Sequence, residues 1–114
     1  YKLDNLTAVV DRNRLQISGS TEDVMHHDSL DERFGSFGWH VIHASGNDPD
    51  SLIQAFDEAK STKGMPTMII ADTVKGCGVS YMENQAVWHH KVPTEAEYLQ
   101  AKEELKAKEA AARE

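Results

Sequence analysis

Leu6 to Val10 is a short, mostly apolar, β-branched run of the kind that fills a buried parallel strand, and the polar stretch Asp11-Arg12-Asn13-Arg14 ends it. Leu15 to His27 holds Ser18, Gly19, Ser20 and Thr21 without a sustained period, and reads as a long functional or connecting loop. From Asp28 to Phe37, Leu30, Phe34 and Phe37 recur at helical spacing, predicting a short amphipathic helix closed by Gly38, and Trp39 to Ala44 then reads as a strand. Asp48 is a natural cap with Pro49 at the first helical position, followed by Leu52, Ile53, Phe56 and Ala59 as one apolar face and Gly64 as the stop. Met65 to Ala71 is a second buried-strand pattern, and Lys75-Gly-Cys-Gly78 lies in the loop after it.

The resulting β-α-β-α-β order predicts an α/β fold with a parallel sheet, whose ligands bind beyond the carboxyl ends of the strands. Two loops meet that condition, Asp11 to Gly19 and Thr73 to Gly78. Beyond Pro93, Thr94 and Glu97 form a capping-box pattern that starts a helix rich in Ala, Glu and Lys. Its end, Lys106 to Glu114, is too charged to face a core, and is expected to fray or to pack on another chain. The expected division is residues 1–98 as one domain part and 99–114 as a charged helical tail.

At 114 residues the chain fits one small domain with a modest core. Lys and Arg total 12 against 19 Asp and Glu, a net charge of -7, which argues against nonspecific binding to nucleic acid or to an anionic membrane. The single cysteine, Cys77, excludes an intrachain disulfide framework. No apolar run approaches a membrane span and no signal-peptide pattern opens the chain, so a soluble, cytoplasmic protein is expected. The start inside a strand-like run, without an initiator methionine, is read as the mark of a fragment.

Asn13 and the carbonyl of Leu15 sit just past the first strand, where an amide oxygen and a backbone oxygen suit a hard cation such as Mg²⁺, although a loop Asn is more often a turn residue. Lys75 with Gly76 and Gly78 makes a phosphate-friendly loop, because glycine lets the backbone approach an anion and the ammonium offsets its charge; a plain turn has the same composition. His26-His27 and His89-His90 lack the spacing of a zinc site, and Cys77 reads as a small loop residue rather than a nucleophile. Tyr81 and Trp88 read as packing anchors in preference to pocket walls.

Several ordered motifs resemble one family. Asn5 to Gly19 is similar to the transketolase segment that closes the thiamine diphosphate motif. Phe37-Gly-Trp-His-Val-Ile42, Gly46 with its capped helix, Pro66 to Gly78, Glu83-Asn84 and Trp88-His89 follow in family order. The resemblance spans about Leu3 to Leu99, and Met82-Glu-Asn84 is closest to the short, split form whose two cofactor-binding domains are separate polypeptides.

The resemblance implies the C-terminal half of a thiamine diphosphate-binding domain, with thiamine diphosphate and Mg²⁺ (or Ca²⁺) as cofactors. Asn13 matches a side-chain metal ligand and Leu15 a backbone-carbonyl ligand. Ile17 matches the apolar residue near the cofactor rings, while Lys75 and His89 match residues near the diphosphate and the sugar donor, His89 being the candidate catalytic group. His90 stands where the family usually has glycine. The implied activity is transfer of a two-carbon ketol unit from a ketose phosphate to an aldose phosphate, as in the pentose phosphate pathway. The family's Gly-Asp-Gly segment and activating glutamate are not in this sequence, so the implied partners are an upstream Gly-Asp-Gly fragment and a pyrimidine-binding transketolase subunit in a hetero- or homo-oligomer. Alone, the chain is expected to be inactive. A related enzyme such as deoxyxylulose phosphate synthase, one making dihydroxyacetone, and a noncatalytic domain of the same fold are the alternatives.

Overall fold

The computed structural model describes residues 1–26 and 29–112. In chain order its elements are β1 (Thr7–Arg12), the short strands β2 (Leu15–Gln16) and β3 (Gly19–Ser20), α1 (Thr21–Val24), α2 (Leu30–Ser36), β4 (His40–Ser45), α3 (Pro49–Ser61), β5 (Thr67–Asp72), a 3₁₀ turn (Ala86–His89) and α4 (Glu95–Ala112). The chain divides into two units, Tyr1–Asn13 with Met25–Thr73, and Arg14–Val24 with Val74–Glu114.

The first unit is the expected α/β arrangement. β5 lies between β1 and β4, parallel to both, in the register Val9, Ile69, Ile42 across the sheet. A central parallel strand is buried on both faces, which is why Thr67 to Ala71 are all buried and read as one apolar run. α3 packs Ala55, Ala59 and Leu52 against Ile42, Ala44 and Ile69 to form the core. Asp48 Oδ1 accepts from the Asp50 amide at 3.1 Å and Pro49 opens the helix, as the sequence predicts.

Two expectations shift here. Periodicity places Ile53 and Phe56 on the apolar face of α3, yet these are 58% and 48% exposed; the small alanines face the sheet and let the helix approach closely. Phe37 lies past the end of α2 and is exposed, because Gly38 at φ 79° turns the chain out while Trp39 N–H donates to Phe34 O at 3.1 Å. Asp28, the expected helix start, is outside the described residues; Ser29 is the cap, its hydroxyl accepting from Glu32 N–H at 3.2 Å.

The second unit holds the stretch expected to be a long loop. β2 and β3 pair antiparallel around Ile17 and Ser18, and α1 follows as one helical turn. A two-residue ladder is too short to leave a period in the sequence. The capping box of α4 forms in both directions: Thr94 N–H donates to Glu97 Oε2 at 2.7 Å and Glu97 N–H to Thr94 Oγ1 at 3.3 Å.

Gly46, directly after β4, donates its N–H to Asp72 O at 2.7 Å. A Cβ there would lie 2.3 Å from Thr73 Cγ2 and 3.1 Å from Ala71 Cβ. Thr73 cannot swing aside freely, since its hydroxyl donates to Asp11. Gly46→Ala is therefore expected to destabilise the chain by about 1–3 kcal/mol, read as a lower urea midpoint with an unchanged slope; an unchanged midpoint would show that the β4–β5 ends yield easily.

Candidate functional site

The carboxyl ends of β1 and β5 are tied side by side in the first unit. Arg12 Nη1 lies 3.8 Å from Asp72 Oδ1, Thr73 N–H donates to Arg12 O at 3.3 Å, and the Thr73 hydroxyl donates to Asp11. Asn13, half-buried, is the next residue after β1 and so leaves a braced strand end. His43 bridges the same edge of the sheet, with Nε2 against Asp31 and Nδ1 3.9 Å from Asp72. The hydrogen bond to His43 holds the Asp31 carboxyl below its usual range.

In the second unit, Arg14 takes the left-handed backbone conformation, φ 61°, uncommon outside glycine. Its carbonyl accepts from Thr21 N–H at 2.9 Å and from the Thr21 hydroxyl at 3.4 Å, which holds the turn that feeds β2. Leu15 pairs with Ser20, and Ile17 stands at the hairpin tip, 63% exposed, an apolar side chain with one face open. The Gln16 side-chain nitrogen is buried and has no hydrogen-bond partner among the described residues, although such a donor normally has one. β2 packs against the 3₁₀ turn, so the hairpin carrying Leu15 and Ile17 and the turn carrying His89 are neighbours.

Lys75 belongs to this unit as well. Asn84 N–H donates to Lys75 O at 3.0 Å, and a Cβ on Gly76 would come within 2.5 Å of Met82 Cβ and 2.7 Å of its backbone, so glycine is required there on contact grounds as well as by its φ of 73°. Gly78 N–H donates to Glu83 Oε1 at 2.9 Å. Tyr81 and Trp88 are the packing anchors expected: their rings lie 5.3 Å apart, Trp88 Nε1–H donates to Tyr81 O at 3.1 Å, and Lys91 Nζ sits 4.2 Å over the Trp88 ring. His89 is exposed beside His90, with the ring centroids 6.1 Å apart. His90 has φ -147°, which an L residue adopts freely, so histidine at this position needs no left-handed backbone.

Nothing in the local sequence announces how α4 holds this loop. Glu104 accepts from Ser80 N–H at 2.6 Å and from its hydroxyl at 2.7 Å, and Tyr81 O–H donates to Glu97 O at 2.7 Å. Partners so far apart along the chain leave no short pattern to read. Among the described residues no group of three His, Cys, Asp or Glu is placed to hold a metal ion; His27 lies outside them, and Cys77 is an exposed free thiol. No helix among them is long and apolar enough to cross a membrane.

Residues 1–112 match the family described as transketolase, thiamine diphosphate binding domain. The chain is similar to one subunit of the apulose-4-phosphate transketolase of Phocaeicola vulgatus, 49% identical over 105 residues, covering 92% of this chain and 37% of that one. The Actinobacillus succinogenes protein of the same name is 43% identical over 106 residues, covering 93% of this chain and 38% of its own. Among solved structures, the transketolase of Campylobacter jejuni superposes with a TM-score of 0.85 at 28% identity, over 92% of this chain and 16% of that one. The chain thus spans well under half the length of these relatives.

The Ser80 contact predicts a pH response. Hydrogen bonds, the Ser80 amide first, lower the Glu104 carboxyl from 4.5 to about 2. A group depressed in the folded state stabilises it above its unfolded value, and that contribution is lost as pH falls from 4.5 toward 2. Ser80 amide protection against hydrogen exchange is expected to fall across that window, and to be already low at neutral pH in Glu104→Ala, which has no side-chain acceptor; equal protection in both proteins would contradict the assignment.

Proposed function

The chain belongs to the transketolase thiamine diphosphate-binding family, and from that membership we propose that it is the metal- and diphosphate-binding part of a split transketolase, acting in transfer of a two-carbon ketol unit between sugar phosphates. The observation that carries the reading is the sequence Asn13-Arg-Leu15-Gln-Ile17 leaving the carboxyl end of β1 in a chain that matches this family over residues 1–112. Loops at that end of a parallel strand are where α/β sheets hold ligands.

The residues fit the group chemically. Asn13 offers an amide oxygen and Leu15 a backbone oxygen, the neutral hard donors that Mg²⁺ accepts alongside phosphate oxygens and water. Ile17 offers an exposed apolar surface to a ring. Lys75, in a loop kept tight by Gly76, supplies the positive charge that an anionic group needs in a chain of net charge -7. His89 is assigned to the sugar, where an imidazole can bind a hydroxyl or move a proton. Thiamine diphosphate, when bound, supplies the electron sink for making and breaking the carbon–carbon bond.

The remaining ligands are assigned to an upstream Gly-Asp-Gly segment and a pyrimidine-binding subunit. Relatives whose names describe them as single subunits of a transketolase support such a division. The test is calorimetric titration of thiamine diphosphate with Mg²⁺ into the complex of this chain with those parts. Asn13→Ala is expected to weaken metal-dependent binding roughly tenfold or more, and His89→Ala to lower ketol transfer with little change in cofactor affinity. Unchanged binding in Asn13→Ala would remove the metal assignment, and ketol transfer by the isolated chain would refute the need for partners.

A further inference from the structure

The stretch Met82-Glu83-Asn84 has no task in the function above, yet each of its three residues touches the loop from Lys75 to Gly78. Met82 lies against Gly76, where a Cβ would come within 2.5 Å of Met82 Cβ. Glu83 Oε1 accepts from Gly78 N–H at 2.9 Å, and Asn84 N–H donates to Lys75 O at 3.0 Å. Asn84 takes φ 56°, the left-handed conformation that asparagine enters more easily than most residues, in the turn whose amide returns to Lys75. The chain between closes on itself through Val79 N–H to Gly76 O at 3.1 Å and Met82 N–H to Val79 O at 2.9 Å.

Of these hydrogen bonds, that of Glu83 is made by a side chain, so a substitution can remove it and leave the backbone partners of the others intact. Gly78 is buried, so its N–H needs an acceptor inside the protein and is not offered to a ligand. Glu83, half-buried, supplies that acceptor as a carboxylate, which makes the bond charge-assisted. A negative charge beside a loop that receives an anion works against binding, so what Glu83 contributes is the shape of the loop and not its field. We propose that Glu83 is a positioning residue: by holding Gly78 it keeps the loop closed, and the closed loop places Lys75 for an anionic diphosphate group. The task of Lys75 rests on the functional reading above; closure of the loop by Glu83 does not.

The test uses the complex of this chain with the upstream segment and the pyrimidine-binding subunit, in wild-type, Glu83→Ala and Glu83→Gln forms. Glutamine keeps a side-chain oxygen that accepts from Gly78 and drops the charge, whereas alanine has no acceptor. All three are expected to share one circular dichroism spectrum. In hydrogen exchange, Glu83→Ala is expected to lose protection at Gly78 and also at Asn84, whose own bond to Lys75 the substitution does not remove; Glu83→Gln is expected to keep both. In calorimetric titration with thiamine diphosphate and Mg²⁺, Glu83→Ala is expected to bind roughly tenfold or more weakly, and Glu83→Gln as the wild type does. Lys75→Ala is expected to weaken binding as well, and Glu83→Ala to add nothing in that background, because both changes act through one ammonium. Wild-type exchange and affinity in Glu83→Ala overturn the proposal, as do additive losses in the double variant and a Glu83→Gln form as weak as Glu83→Ala. A wild-type complex that binds no thiamine diphosphate overturns the functional reading and the task of Lys75; closure by Glu83 then stands or falls on the exchange rates.

Discussion

The joined ends of β1 and β5 are the constraint on which the first unit depends. Arg12 and Asp72, Asp11 and Thr73, and the Thr73 amide with the Arg12 carbonyl fasten two strands at the place where both leave the sheet. Gly46 joins the same knot from β4 through Asp72 O. Each is a partly exposed polar contact worth little singly, but together they fix where Asn13 begins. In the function proposed above, this positioning is what the sheet contributes, since Asn13 follows the last residue of β1.

The second unit solves a different problem, that of holding loops with little core. α4 has no buried residue among those described, and yet its Glu104 and the backbone of Glu97 take hydrogen bonds from Ser80 and Tyr81. The helix acts as a rail to which the loop around Lys75 is pinned by hydrogen bonds, charge-assisted from Ser80 to the Glu104 carboxylate and neutral from Tyr81 to the Glu97 carbonyl. The rings of Tyr81 and Trp88 then connect that loop to the turn bearing His89.

Much of the fold is legible in the sequence because it follows local rules. Asp48-Pro49, Thr94 with Glu97, and Gly38 each announce a helix end through the chemistry of unpaired backbone groups. The apolar run of β5 announces a strand buried on both faces. The β2–β3 hairpin is not legible, since its order comes from the Arg14 turn and the Thr21 bonds. The orientation of α3 escapes for a related reason: periodicity identifies Ile53 and Phe56 as apolar, but the choice of Ala55 and Ala59 as the contact face depends on how close the helix can come to the sheet. Of the candidate site, Asn13 and the glycine loop can be found from position and composition. The partners of Ser80 and the unpaired Gln16 nitrogen appear only in three dimensions.

The pairing of β1 with β5 also has a consequence in time. Thr7 faces Thr67, so the first strand of the sheet is synthesised about sixty residues before the strand that satisfies it. β4 likewise waits for β5, the strand between them. Closure of the sheet is therefore a late, non-local event, of the kind that makes folding slow and leaves apolar strands open to wrong pairings in the interval.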